Sequence, residues 1–210
     1  MPRKPSVLQS EFPYHVCARS INREWFNLPM DQVWEIMSNQ LYFVHTAYNV
    51  RILAFILMSN HFHLIVQTPD CNLSEAMAWF MRESSRELTR SGNRINQAYG
   101  GRYFRSIISS EHYYGLAYKY LYTNSLRAGQ ARRVENYQFS ALRGLLGLRR
   151  LGFPVAEDRM LFSNVEATLE WLNLDVKGEH HEAVRKALRR SNFKLTLKKG
   201  EPHELETRLL

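Results

Sequence analysis

His61 and His63, two histidines separated by one residue, are the side chains of this chain most directly suited to chemistry. They lie in Met58-Ser59-Asn60-His61-Phe62-His63-Leu64-Ile65-Val66-Gln67, which reads as a short turn followed by a strand. Phe62, Leu64 and Val66 alternate with His61, His63, Ile65 and Gln67, and successive strand side chains point to opposite faces. Both imidazoles therefore share one face, while the opposite, wholly apolar face should pack under helices. Two nitrogens side by side are a preformed half of a divalent-metal site, although such pairs also occur as satisfied polar residues beside a core. The remaining ligand has to come from elsewhere.

A second candidate group lies in the stretch from Glu111 to Arg127, which reads as a helix stopped by Gly129 and carries Tyr113, Tyr114, Tyr118, Tyr120 and Tyr122. Helical tyrosines are ordinarily packing residues with a wet hydroxyl. Spacing distinguishes one of them, because residues four apart share a helix face. Four residues after Tyr113, Tyr114, Tyr118 and Tyr122 come Ala117, Tyr118, Tyr122 and Leu126, none of which ligates a hard metal; four after Tyr120 comes Asn124. An amide carbonyl is an acceptable ligand for Mg²⁺ or Mn²⁺. Arg127 follows on the same side.

The elements that must position these groups can be read in order. Residues 12–18 suggest a first strand running into the polar Arg19-Ser20-Ile21-Asn22-Arg23 segment. Val33, Met37, Leu41, Val44 and Tyr48 recur at helical spacing from Met30 to Tyr48. Val50 to Met58 reads as a buried strand joined through Ser59-Asn60 to the histidine strand. Asn72 with Glu75 makes a helix start, and Leu73, Met77, Phe80 and Leu88 supply the apolar stripe of the second helix. After the turn-rich 92–101 segment, Arg102 to Ile108 suggests a fourth strand. The order strand, helix, strand, strand, helix, strand is the α+β, ferredoxin-like split βαβ sandwich with an antiparallel sheet. To it are added the tyrosine helix and a C-terminal helical appendage.

The chain has 210 residues, 45% of them hydrophobic and 12% aromatic, enough for one domain over about residues 1–150 and a basic appendage over 151–210. Helical patterns recur in that appendage near Val165 to Leu172 and Glu179 to Arg190, and it ends in a basic run through Lys194, Lys198 and Lys199. The formal net charge of +8 and a pI near 9.6 favour a polyanionic partner, nucleic acid first. Arg82, Arg86 and Arg90 fall four apart on one helix flank, as either a solvated face or a line of guanidinium groups tracking phosphates. Arg102, Arg105, Lys119 and Arg127 extend the nucleic-acid-binding set. The longest apolar run, Ile52 to Met58, is too short to span a bilayer, and no apolar segment follows Met1 to Ser6 to make a secretory signal. A cytoplasmic protein is expected. Two cysteines, Cys17 and Cys71, are too few for a disulfide framework and read as free thiols.

The histidine strand, the Tyr120-Leu121-Tyr122-Thr123-Asn124 helix segment and the Tyr14-His15-Val16 stretch through Arg19, Asn22 and Arg23 together resemble the HUH single-tyrosine transposases of small single-strand insertion sequences. Within that group the chain most resembles the REP-associated tyrosine transposases, over roughly residues 12–145. The resemblance implies a divalent ion, Mg²⁺ or Mn²⁺, on His61, His63 and Asn124, with Tyr120 as the nucleophile. It also implies cleavage and rejoining of single-stranded DNA hairpins, such as REP-like elements, through a 5′-phosphotyrosine, in a bacterial nucleoid-associated protein that is a monomer or a homodimer. Ser125 departs from the proline usual in these relatives. Two other readings compete: a non-catalytic single-stranded nucleic-acid-binding module on the same scaffold, and a metal-dependent nuclease that uses water.

Overall fold

The alternating and helical periods of the first hundred residues are realised as a βαββαβ unit in a computed structural model that describes residues 8–196 and 201–207. Met1 to Ser6 and the basic Lys198 and Lys199 lie outside the described residues. The unit comprises β1 (Tyr14–Arg19), α1 (Met30–Tyr48), β2 (Arg51–Met58), β3 (His61–Gln67), α2 (Leu73–Ser91) and β4 (Phe104–Ile107). The four strands form one antiparallel sheet in the order β2-β3-β1-β4, so the histidine strand is central. A central position suits it, because both of its backbone edges are then paired and its side chains are held on two protected faces.

The apolar alternation decides which face each helix covers. Phe62, Leu64 and Val66 of β3 join Val16 of β1 and Phe55 of β2 in a core with Val33, Met37 and Leu41 of α1 and Met77 and Phe80 of α2. A register shift between Ile52 and Ala54 in β2 lets Ile52 face this core while Ala54, Ile56 and Met58 face the other. Asn72 precedes α2 as expected, but its side chain makes no cap; its Nδ2 donates instead to the Tyr48 carbonyl at 2.8 Å. The amide thus ties the start of α2 to the end of α1.

The second sheet face is covered as well. It takes α3 (Glu111–Arg127), whose start is capped by Ser110 accepting from the Tyr113 N–H at 3.1 Å, and whose end is followed by Gly129 at φ 66°, a left-handed turn that glycine adopts without strain. Beyond it come α4 (Ala141–Leu145), α5 (Arg159–Ser163), α6 (Val165–Asn173) and α7 (Gly178–Ala187). Leu161, Leu172, Val184, Leu188 and Phe193 share one apolar cluster with Leu116, Leu121 and Tyr122 of α3 and with Ile56 and Ile65 of the sheet. The C-terminal segment also pairs with the edge strand, Phe193 N–H donating to Ile107 O at 2.8 Å and Ile107 N–H to Ser191 O at 2.9 Å. No helix among the described residues is long and apolar enough to cross a membrane.

Candidate active site

Pairing of β1 with β3 sets His15, Cys17 and Arg19 opposite Ile65, His63 and His61, on the face that α3 covers. His15 Nε2 and His63 Nδ1 are 2.9 Å apart, with the two rings stacked at 5.1 Å between centroids. His61 Nδ1 meets the Asn60 side-chain oxygen at 2.7 Å, and the Asn60 amide nitrogen donates in turn to Arg23 O at 2.7 Å. In the tautomers where both Nδ1 atoms carry the proton, His61 and His63 are left with Nε2 lone pairs for a ligand. Asn60 and His15 are then the groups that orient the two imidazoles.

The electrostatics agree with neutral imidazoles. Burial pulls His15 and His61 down from 6.5 to about 3, and it lowers His63 well below its usual value, with the neighbouring histidines and Arg19 adding to the shift. Neutral nitrogens are the form a metal ion needs. His63 Nε2 is buried and meets no protein partner, a costly arrangement for a polar atom unless something outside the chain occupies it. The donor set therefore fits a divalent ion.

Above the pair lies Tyr120, only 6% exposed, with its ring edge-on to His63 at 5.4 Å and to His15 at 6.2 Å. Burial raises its phenol above the usual value near 10, and Cys17 adds to that, while Arg185, Arg19 and Arg189 draw it back. Asn124 sits one turn on; its Nδ2 donates to the Tyr120 carbonyl at 2.6 Å, so the amide oxygen is the atom of this side chain that could meet a ligand. Tyr118 and Tyr122 point into the apolar layer instead. Tyr118 donates to the Asp158 carboxylate at 2.6 Å, and its ring packs edge-on to Tyr122 at 4.8 Å. Cys17 and Cys71 are free thiols, and burial pushes Cys17 up to about 12, which leaves it protonated beside the tyrosine.

Of the basic residues read from the sequence, Arg82, Arg86, Arg102 and Arg105 line one groove of about 1240 Å³ between α2 and β4, together with Tyr103, Phe104 and Arg189. Arg82 and Arg86 are largely exposed and engage Glu83, and Arg82 also lies over the Trp79 ring at 4.8 Å. Arg90 is exposed at the end of α2 but does not line the groove. Lys119 departs from the expectation: it is fully buried, with its ammonium on the Trp171 carbonyl at 2.6 Å, and has no surface to offer a phosphate. Arg127 holds the Val176 carbonyl at 3.2 Å and so braces the approach to α7.

Sequence reasoning assigned no role to His15, Arg19 or His181. The signal for the first two was the alternation of β1, usable only once its pairing with β3 is known. His181 lies on α7 with its ring 4.7 Å from that of Tyr120. Among the described residues, the one triple of His, Cys, Asp and Glu ligand atoms within 4.8 Å of one another is Glu179, His180 and Glu204, where His180 already pairs with Glu204.

A central histidine pair on an antiparallel ferredoxin-like sheet, roofed by a helix that carries a buried tyrosine, is the architecture of the HUH single-tyrosine transposases. The family model described as "Transposase IS200 like" matches residues 9–122, a stretch that opens before β1 and closes just past Tyr120. It takes in just over half of the 210 residues, and the chain belongs to this family. Among solved structures, the chain is similar to a REP-associated tyrosine transposase bound to a REP hairpin, at 19% identity and a TM-score of 0.58, over 73% of this chain and 92% of that one. A second match, a Deinococcus radiodurans R1 protein described as a transposase, has 14% identity and a TM-score of 0.40, over 61% and 98% of the two chains. No curated protein sequence matches.

Proposed function

We propose that this transposase cuts and rejoins single-stranded DNA at hairpins, with Tyr120 as the nucleophile and a divalent ion held by His61, His63 and Asn124. The observation that carries the reading is the packing of the Tyr120 ring against His63, whose buried Nε2 lacks a protein partner. When bound, a divalent ion supplies charge to the scissile phosphate. The chain's own residues do the rest. Asn60 and His15 hold the imidazoles in orientation, α3 holds the phenol over them, and the closely packed site restricts water.

In the reaction, the Tyr120 oxygen loses its proton and bonds to phosphorus while the bond from phosphorus to the 3′ oxygen breaks. That oxygen takes up a proton, which leaves a 5′-phosphotyrosine and a free 3′-hydroxyl. Attack by a 3′-hydroxyl reverses the exchange, so no nucleotide cofactor is needed to rejoin the strand. Arg82, Arg86, Arg102 and Arg105 supply the phosphate contacts that hold the DNA. The hairpin-bound relative supports a hairpin substrate through its shared fold.

The test is incubation with single-stranded hairpin DNA and Mn²⁺, followed by a denaturing gel. A shifted covalent adduct whose linkage maps to Tyr120 is expected, lost in the His61→Ala and His63→Ala proteins at nearly unchanged DNA affinity. Cleavage without any adduct would instead identify a nuclease that uses water, and binding without cleavage a non-catalytic module.

A further inference from the structure

We propose that His181, on the C-terminal helix α7, is a positioning residue that holds the Tyr120 ring in its attacking orientation. The inference rests on Tyr120 being the nucleophile, as read above. The two rings lie 4.7 Å apart between centroids at a tilt of 30°, a tilted face-to-face contact, whereas His63 and His15 meet the same phenol edge-on. Tyr120 is thus bounded by imidazoles on its face and at its edges. A ring held on several sides loses the rotamers that would carry its oxygen away from phosphorus.

The placement of His181 is not explained by stability alone. Its Nε2 is buried without a protein partner, at a position where an apolar ring would pack without that penalty. Burial keeps the imidazole neutral, pulling it from 6.5 to about 4, so it stacks as an uncharged ring. α7 is in turn held firmly: Val184 and Leu188 lie in the core with α3, and Arg127 of the tyrosine helix grips the Val176 carbonyl just before α7 begins. The family match ends at residue 122, so the helix that supplies His181 lies outside it. In this chain the C-terminal segment completes the surroundings of the nucleophile.

The experiment compares His181→Leu, which fills the volume without a planar ring, with His181→Phe, which restores the stack without the nitrogens. Single-turnover cleavage of hairpin DNA is measured at saturating DNA and Mn²⁺, alongside DNA affinity and thermal melting. We expect His181→Leu to cut roughly ten-fold to a hundred-fold more slowly, the scale of a misoriented reacting group, with DNA affinity unchanged, and His181→Phe to recover most of the rate. A His181→Leu protein that cuts as fast as or faster than the wild type would overturn the proposal and make α7 a mere cover. Equal defects in both variants would overturn it too. A second readout does not depend on cleavage: the ¹⁹F line of 3-fluorotyrosine at position 120 should sharpen in His181→Leu and stay broad in His181→Phe. Equal line widths in all three proteins would refute the stack as a restraint, whereas a wild-type adduct mapped to another residue would refute Tyr120 as nucleophile and leave the restraint standing.

Discussion

Tyr120 and Tyr118 are two residues apart on α3, yet they face different chemistry, because each residue advances the helix by about 100°. If Tyr120 is the nucleophile, Tyr120→Phe removes only its hydroxyl oxygen, so the protein should fold, bind hairpin DNA and yield no adduct on a denaturing gel. Tyr118→Phe should keep the adduct but lower stability by about 1–3 kcal/mol, since the buried Asp158 carboxylate loses its 2.6 Å donor; chemical denaturation measures that loss. The residues behind the histidines offer a separate test. If His61 and His63 hold a divalent ion, His15, buried against His63, acts on it only through that ring, so His15→Ala should weaken Mn²⁺ binding by about 10-fold to 100-fold, as loss of an orienting partner does. Titration of the Mn²⁺ electron paramagnetic resonance signal reads this directly, and unchanged affinity would remove His15 from the site.

At the scale of elements, α2 and β4 bring together arginines from two stretches of the chain. If the groove between them holds DNA, converting Arg82, Arg86, Arg102 and Arg105 to Ala should weaken binding across sequences and flatten the slope of log K against log salt by about one contact's worth per arginine. An unchanged slope would show that they are only a solvated face. α7 makes a prediction about pH. His181 has a folded value of about 4 against 6.5 in a free chain, with Tyr120, Arg127, Glu182 and Arg185 around it. Between those values the unfolded chain binds the extra proton, so this residue destabilises the fold progressively as pH falls from 6.5 toward 4, and it contributes no pH dependence above 6.5. His181→Phe should therefore lose stability less steeply over that window than the wild type in urea titrations. Identical slopes would mean that His181 titrates normally.

For the whole molecule, the question is what residues 151–210 do. Leu161, Leu172, Val184, Leu188, Phe193, Leu195 and Leu205 are buried in the cluster that includes α3. Each large apolar side chain contributes about 1.5–3 kcal/mol on burial, and a domain has only about 5–15 kcal/mol in total. Truncation after Arg150 should therefore leave α3 exposed on its outer face, with a collapsed melting transition and no cleavage. A truncated protein that melts cooperatively and still forms the adduct would show that the appendage is dispensable.

How far the chain could be read without its fold follows from the range of each interaction. The bounds of α1 and α3, the shared face of His61 and His63, and the turn joining Tyr120 to Asn124 depend on periods of two or about 3.6 residues, and local order carries them. The βαββαβ order was legible for the same reason. What pairs with what over long distances was not. His15 meets His63 across 48 residues of sequence, and His181 meets Tyr120 across still more, through contacts that only strand pairing and the docking of α7 create. Lys119 shows the same limit in reverse: as a lysine beside Tyr120 it reads as a phosphate contact, but α6 lies over it and the Trp171 carbonyl takes its ammonium. The amino-acid sequence by itself determined which residues share a face, except at the β2 register shift between Ile52 and Ala54. Which faces meet was decided by the tertiary structure, because burying both sides of the sheet can be achieved only by segments far apart in the chain.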